Sequence, residues 1–149
     1  MKLTIELVPK TSWFTNLRSI LTTSQWDNIR KDCYKNANYR CEICNGVGKS
    51  HPVECHEVWS YDDVNHIQKL DGLIALCPSC HQVKHIGLAK IKGRYFEAMQ
   101  HLIDINGISE YEAEELIEEA FAEYSERSRY NWTVDISYLE GAGYHIIHK

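Results

Sequence analysis

The chain has 149 residues and is 44% hydrophobic and 25% charged, which is the size and composition of one folded domain with a real core. Six cysteines are too few for a disulfide scaffold, and no apolar run is long enough to cross a membrane. The net charge of -5 is uneven: residues 1–105 carry 13 Lys/Arg against 11 Asp/Glu, and residues 106–149 carry 3 against 10. A nucleic-acid partner therefore requires a local basic face in the first two thirds.

Residues 2–8 alternate between apolar and polar side chains, which predicts a strand. Met1 opens directly into this run, so we expect no signal peptide and a cytoplasmic location. Ser24 predicts the N-cap of a helix over residues 25–34. Cys33 falls on the apolar face of that helix, where we expect a small buried hydrophobic residue.

The middle of the chain predicts two strands and a short helix. Residues 39–48 form a turn-rich loop, and residues 52–59 alternate like a strand. The Asp71-Gly72 pair lies between two apolar runs and predicts a hairpin turn. Pro78 favours the start of a short helix that Gly87 ends.

The last third is mainly helical. We expect one helix over 95–105 and, after a capping box of Ser109 and Glu112, a second over 110–128. A short strand is predicted over 132–136. The chain is α+β and one domain, 1–149, with a central unit at 39–87, an N-terminal extension at 1–38 and a C-terminal helical extension at 88–149.

Two C-x-x-C pairs are the strongest chemical signal. Cys41, Cys44, Cys77 and Cys80 offer the four thiolates that tetrahedral zinc prefers in a structural site. The 32 residues between the pairs leave room for a strand pair. We therefore predict a closed, structural zinc site.

A pair of histidines predicts a second metal site of a different kind. His81 and His85 are four residues apart, so a helix places both imidazoles on one face. A third ligand is expected from His56-Glu57, in the predicted strand. Three protein ligands leave positions open for substrate and water.

Residues 39–87 resemble an HNH nuclease of the ββα-metal type. The matching pieces are Tyr-Arg-Cys-Glu-Ile-Cys at 39–44, Val-Glu-Cys-His-Glu at 53–57, and Leu-Cys-Pro-Ser-Cys-His at 76–81 followed by His85. The resemblance implies cleavage of phosphodiester bonds with one divalent metal, Mg, Mn, Ni or Zn, beside a structural zinc. It also implies that His56 is a ligand, and that Glu57 stands where the family has its general-base histidine. Gly72 stands where the family has an asparagine.

Two roles for Glu57 remain open: a general base for the attacking water, or a fourth ligand that closes the site. A register one residue earlier would make Cys55 the ligand and His56 the base, but it breaks the alternation. The expected catalytic residues are thus Glu57, His56 and His81.

We expect DNA as the partner, contacted by basic residues on or after the metal helix: Lys84, Lys90, Lys92 and Arg94. The competing hypothesis is a zinc-stabilised DNA- or protein-binding module with a degenerate nuclease core. A third is a nuclease subunit of a larger assembly. Separately, the acidic helix over 110–126 could dock to a basic partner protein.

Overall fold

The computed structural model describes residues 1–48 and 52–149, which form an α+β fold. Three strands make one small sheet: β1 (Glu54–Asp62), β2 (Ile67–Leu76) and β3 (Thr133–Asp135). Seven α-helices occur in the described residues: α1 (Leu17–Ile20), α2 (Thr23–Asn36), α3 (Pro78–Lys84), α4 (Ile86–Ile91), α5 (Tyr95–Asn106), α6 (Glu110–Arg127) and α7 (Tyr138–Gly141). None of the helices in this part of the chain is both long and apolar enough to cross a bilayer.

The sheet has the order β1-β2-β3, so β1 is an edge strand. β1 and β2 are antiparallel, and their turn lies at Asp62, whose Oδ1 accepts the backbone N–H groups of Val64 and Asn65 at 3.0 Å. The hairpin turn predicted at Asp71-Gly72 is wrong, because both residues lie inside β2. There the pairing register shifts, so the pair marks a bulge rather than a turn.

The strand predicted for residues 2–8 is also wrong. The segment pairs with none of the strands in the described residues. The Leu3 N–H donates to Asn106 Oδ1 at 2.9 Å, and the Glu6 N–H donates to the Lys84 carbonyl at 3.2 Å. The apolar side chains of this segment, Leu3, Ile5 and Leu7, pack against one core cluster, which accounts for the alternation without a strand.

Most predicted helices are confirmed, with shifted ends. The N-cap of α2 is Thr22 rather than Ser24, and Ser109 caps α6 as predicted. Gly87 does not end a helix: it lies inside α4, where an added Cβ would sit 3.7 Å from the Phe121 ring. That distance is an ordinary van der Waals contact, so a small side chain would fit at this position.

The core consists of two clusters of buried side chains. One part packs α3, α5 and α6 against the end of β2, and includes Cys33, which is buried as predicted. The other packs α1, α2 and α7 against the middle of β2. Cys55 and Leu73 contact both parts. β1 and the start of α3 are thereby fixed relative to each other.

Candidate metal centres

The four cysteines of the C-x-x-C pairs form one cluster. The sulfurs of Cys41, Cys44, Cys77 and Cys80 lie within 4.8 Å of one another, and all but Cys44 are buried. Cys77 is the N-cap of α3, and its Sγ accepts the Cys80 N–H at 3.4 Å. Cys41 Sγ accepts the Cys44 N–H at 3.5 Å. The predicted four-cysteine cluster is confirmed as a group that could hold a metal ion, and it is compatible with structural zinc.

The protonation of these thiols explains what a metal would do there. Burial raises the pKa of Cys77 to about 11. A hydrogen bond from Cys80 lowers the pKa of Cys41 to about 4. The metal-free cluster thus keeps some thiols protonated at neutral pH, and metal binding would release those protons and stabilise the fold.

His101, which was not among the predicted site residues, lies beside this cluster. His101 Nε2 lies 3.2 Å from Cys80 Sγ. It comes from α5, 21 residues later in the chain. A hydrogen-bond donor beside a thiolate ligand lowers the charge on the sulfur. In the sequence, His101 is distinguished only as a histidine within the helix predicted over 95–105.

The three predicted histidines also come together. His56 lies on β1, His81 on α3 and His85 at the junction of α3 with α4. One ring nitrogen from each lies within 4.8 Å of the other two, and His56 is only 4% exposed. The helical spacing works as predicted, because the His85 N–H donates to the His81 carbonyl at 3.3 Å.

Burial favours the uncharged form of His85 and His56. Burial, together with the neighbouring His81 and His56, lowers the pKa of His85 to about 3. Burial also lowers the pKa of His56, against the opposing effect of Glu6. Neutral imidazole is the form that binds a metal, so both side chains are ready ligands at pH 7.

Glu6 is the acidic neighbour of this cluster that the sequence did not reveal. Its Oε2 lies 2.8 Å from His56 Nε2 and 3.0 Å from Lys84 Nζ. Burial raises the pKa of Glu6, but the hydrogen bond from His56 and the charge of Lys84 outweigh it and hold the pKa below its ordinary value. A carboxylate on a histidine ring nitrogen fixes the orientation of the ring.

The same contacts correct the expectation for Lys84. Its side chain is 3% exposed, and its ammonium donates to Thr4 Oγ1 at 2.8 Å in addition to its ion pair with Glu6. A buried, paired ammonium does not present its charge to a phosphate at the surface. Lys90, Lys92 and Arg94 are exposed as the prediction requires.

Glu57 is not part of the histidine cluster. Strand alternation places it on the opposite face of β1 from His56. Its Oε1 accepts the Leu17 N–H at 2.9 Å, at the start of α1. Burial raises the pKa of Glu57. Cys55 lies on the same face of β1 as Glu57. His56, and not Cys55, therefore lies on the face that meets the other two histidines.

A cavity of about 890 Å³ joins the two faces at the edge of β1. Its wall includes the three histidines and Glu57. Two cations that form no ion pair within the described residues also line it, Arg18 and Lys90. Arg18 is exposed, and Lys90 Nζ lies 5.8 Å from the Tyr95 ring centroid. Lys92 and Arg94 lie outside the wall.

Comparisons of the chain with protein-family profiles, with curated proteins and with solved structures found no match.

Proposed function

We propose that this chain is a metal-dependent endonuclease that hydrolyses phosphodiester bonds in DNA through an HNH-like ββα centre. In this proposal β1, β2 and α3 form the ββα unit. The observation that carries it is the convergence of His56, His81 and His85 on one point beside a large cavity. The four-cysteine cluster fixes the start of the helix that supplies two of these histidines.

The donor set fits a transition metal better than magnesium. Three imidazoles suit Zn or Ni, whereas Mg²⁺ and Mn²⁺ prefer oxygen ligands. When bound, such a metal would polarise a phosphate oxygen and stabilise the charge that develops on the leaving oxygen. His56, His81 and His85 would hold it, and Glu6 would keep the His56 ring in place.

Arg18 and Lys90 line the same cavity, so in this proposal they bind the phosphates on either side of the scissile bond. Lys92 and Arg94 would extend the basic surface beyond α4. Glu57 is the proposed base, and its raised pKa brings a carboxylate closer to the range useful at neutral pH. To reach a water held by the metal, the Glu57 carboxylate would have to leave the Leu17 N–H and turn round the edge of β1.

The engagement of Glu57 with the Leu17 N–H favours a second candidate function. If that carboxylate serves only to cap α1, the site lacks its predicted base. The protein would then be a zinc-stabilised module that binds DNA or, through the acidic face of α6, a basic protein.

Plasmid cleavage by the purified, zinc-loaded protein tests the proposal, with magnesium, manganese, nickel and zinc compared. We expect cleavage with at least one transition metal and none in His81→Ala. His145→Ala is the matched control, because His145 is exposed and far from the cluster in sequence. Absence of cleavage with every metal, or full activity in His81→Ala, would refute the nuclease function of this site.

A further inference from the structure

Gln68 is a buried polar side chain without a partner. It lies in β2, is 0% exposed, and neither atom of its amide makes a hydrogen bond within the part of the chain that the structure describes. Trp26 Nε1 is likewise buried and unpaired there. Each unpaired buried group costs about 1–3 kcal/mol, and an apolar side chain would fill the same space without that cost. The fold alone gives no reason for an amide at this position.

Both side chains line the cavity that also holds the three histidines. Gln68 is directly opposite Tyr61 on β1, so their side chains share one face of the sheet. Aromatic rings make up much of the surrounding wall: Trp13, Trp59, Tyr61 and Tyr124. The cavity therefore combines flat apolar surfaces with an unpaired amide and an unpaired indole N–H.

The chemistry of these side chains indicates which kind of ligand the cavity fits. Aromatic walls fit a planar ring, and an amide fits an edge with a donor and an acceptor side by side. The cations Arg18 and Lys90 on the same wall fit a phosphate attached to that ring. A volume of about 890 Å³ is large enough for a nucleotide.

We propose that the cavity receives a nucleobase turned out of its strand, and that Gln68 recognises the edge of the base while Trp26 donates to it. This inference rests on the proposed function and specifies its substrate as a nucleotide unstacked beside the scissile phosphate. A stacked and paired base cannot present its edge inside a protein cavity, so the substrate is single-stranded or is flipped. Since Gln68 has no exposed surface, the cavity side chains move apart as the base enters.

Adenine is the base we expect, because a glutamine amide pairs with its N6 amino group and N7 together. The test compares deoxyadenosine monophosphate with the monophosphate of deoxyribosylpurine, which has the same ring without the amino group. Each is titrated into the full-length, zinc-loaded protein, and binding is followed by the fluorescence of the cavity tryptophans. Loss of one hydrogen bond predicts about tenfold weaker binding of the purine analogue.

Gln68→Leu should bind both nucleotides with equal affinity and should melt no lower than the parent protein, because it removes an unpaired amide. Gln100→Leu is the matched control, since Gln100 is exposed and, within the described part of the chain, its amide bonds to Asp104; it should keep the preference. Failure of deoxyadenosine monophosphate to bind, equal binding of both nucleotides by the parent protein, or a preference that survives in Gln68→Leu would overturn the inference.

These outcomes are independent of cleavage. A protein that prefers adenine through Gln68 but cuts no DNA refutes the proposed nuclease and keeps the nucleobase pocket. A protein that cuts DNA through His81 but shows no preference refutes the pocket alone.

Discussion

Lys84→Met should destabilise the protein by about 2–3 kcal/mol. The Lys84 ammonium is 3.0 Å from Glu6 Oε2, and its side chain is 3% exposed. Removing one partner of a fully buried ion pair costs about 3–5 kcal/mol, because the other charge is left unpaired. The Glu6 side chain is 33% exposed, so water partly replaces the lost partner and reduces that cost.

Urea denaturation of the zinc-loaded protein measures this effect, with Glu6→Gln and the double variant completing a mutant cycle. The double variant should be more stable than the sum of the single effects predicts, by about 1–2 kcal/mol, since it leaves no lone charge. Lys92→Met is the control at an exposed lysine and should change stability by less than about 0.5 kcal/mol. Additive single effects, or a Lys84→Met protein as stable as Lys92→Met, would refute the buried ion pair.

Three further predictions concern the metal centres. Cys41→Ser should lose zinc, measured by atomic emission, and should melt at a clearly lower temperature; an unchanged melting temperature would contradict structural zinc at the four cysteines. Glu57→Gln keeps an amide oxygen for the Leu17 N–H, so the fold should persist while cleavage falls by about 100-fold or more; parent-like cleavage would exclude Glu57 as the base. The lowered pKa of His85 means that the unfolded chain binds a proton below about pH 6.5 that the folded chain does not. Stability, measured by urea denaturation with zinc at the cysteines, should therefore be full above that pH and decline by up to about 1.4 kcal/mol between pH 7.5 and 5.5; an equal decline in His85→Gln would assign it to other groups.

The cysteine cluster could be predicted because its geometry is local. Each C-x-x-C pair folds into one tight turn, and Cys77 also caps the helix that follows it. Helical periodicity alone places His81 and His85 on one face of a helix, and strand alternation places His56 on one face of β1. The three side chains therefore converge once α3 packs near β1.

Other features depend on contacts between distant parts of the chain. Glu6 and Lys84 are 78 residues apart, and neither residue type signals a partner at that distance. The sequence favoured exposure of Lys84 because an isolated lysine on a short helix is usually solvated. Its burial follows from the N-terminal segment, which was predicted to pair as a strand and instead packs beside α3.

The position of the hairpin turn was predicted wrongly because the Asp-Gly signal has two structural meanings. Asp71-Gly72 is typical of a hairpin, but a β-bulge uses the same residues. The observed turn follows Asp62, whose carboxylate accepts two backbone N–H groups of the turn. An Asp side chain commonly stabilises a turn in this way without a glycine after it. Gln68 and Trp26 appeared ordinary in sequence, and only their shared, unpaired burial in the cavity distinguishes them.

Cobalt titration of the metal-free protein tests most directly whether two metal centres of different ligand type exist. We expect two equivalents of bound cobalt: one with thiolate-to-metal absorption from the cysteines, and one without it from the histidines. His81→Ala should retain only the thiolate site. A single equivalent in the parent protein, with an identical titration in His81→Ala, would contradict a metal site at His56, His81 and His85.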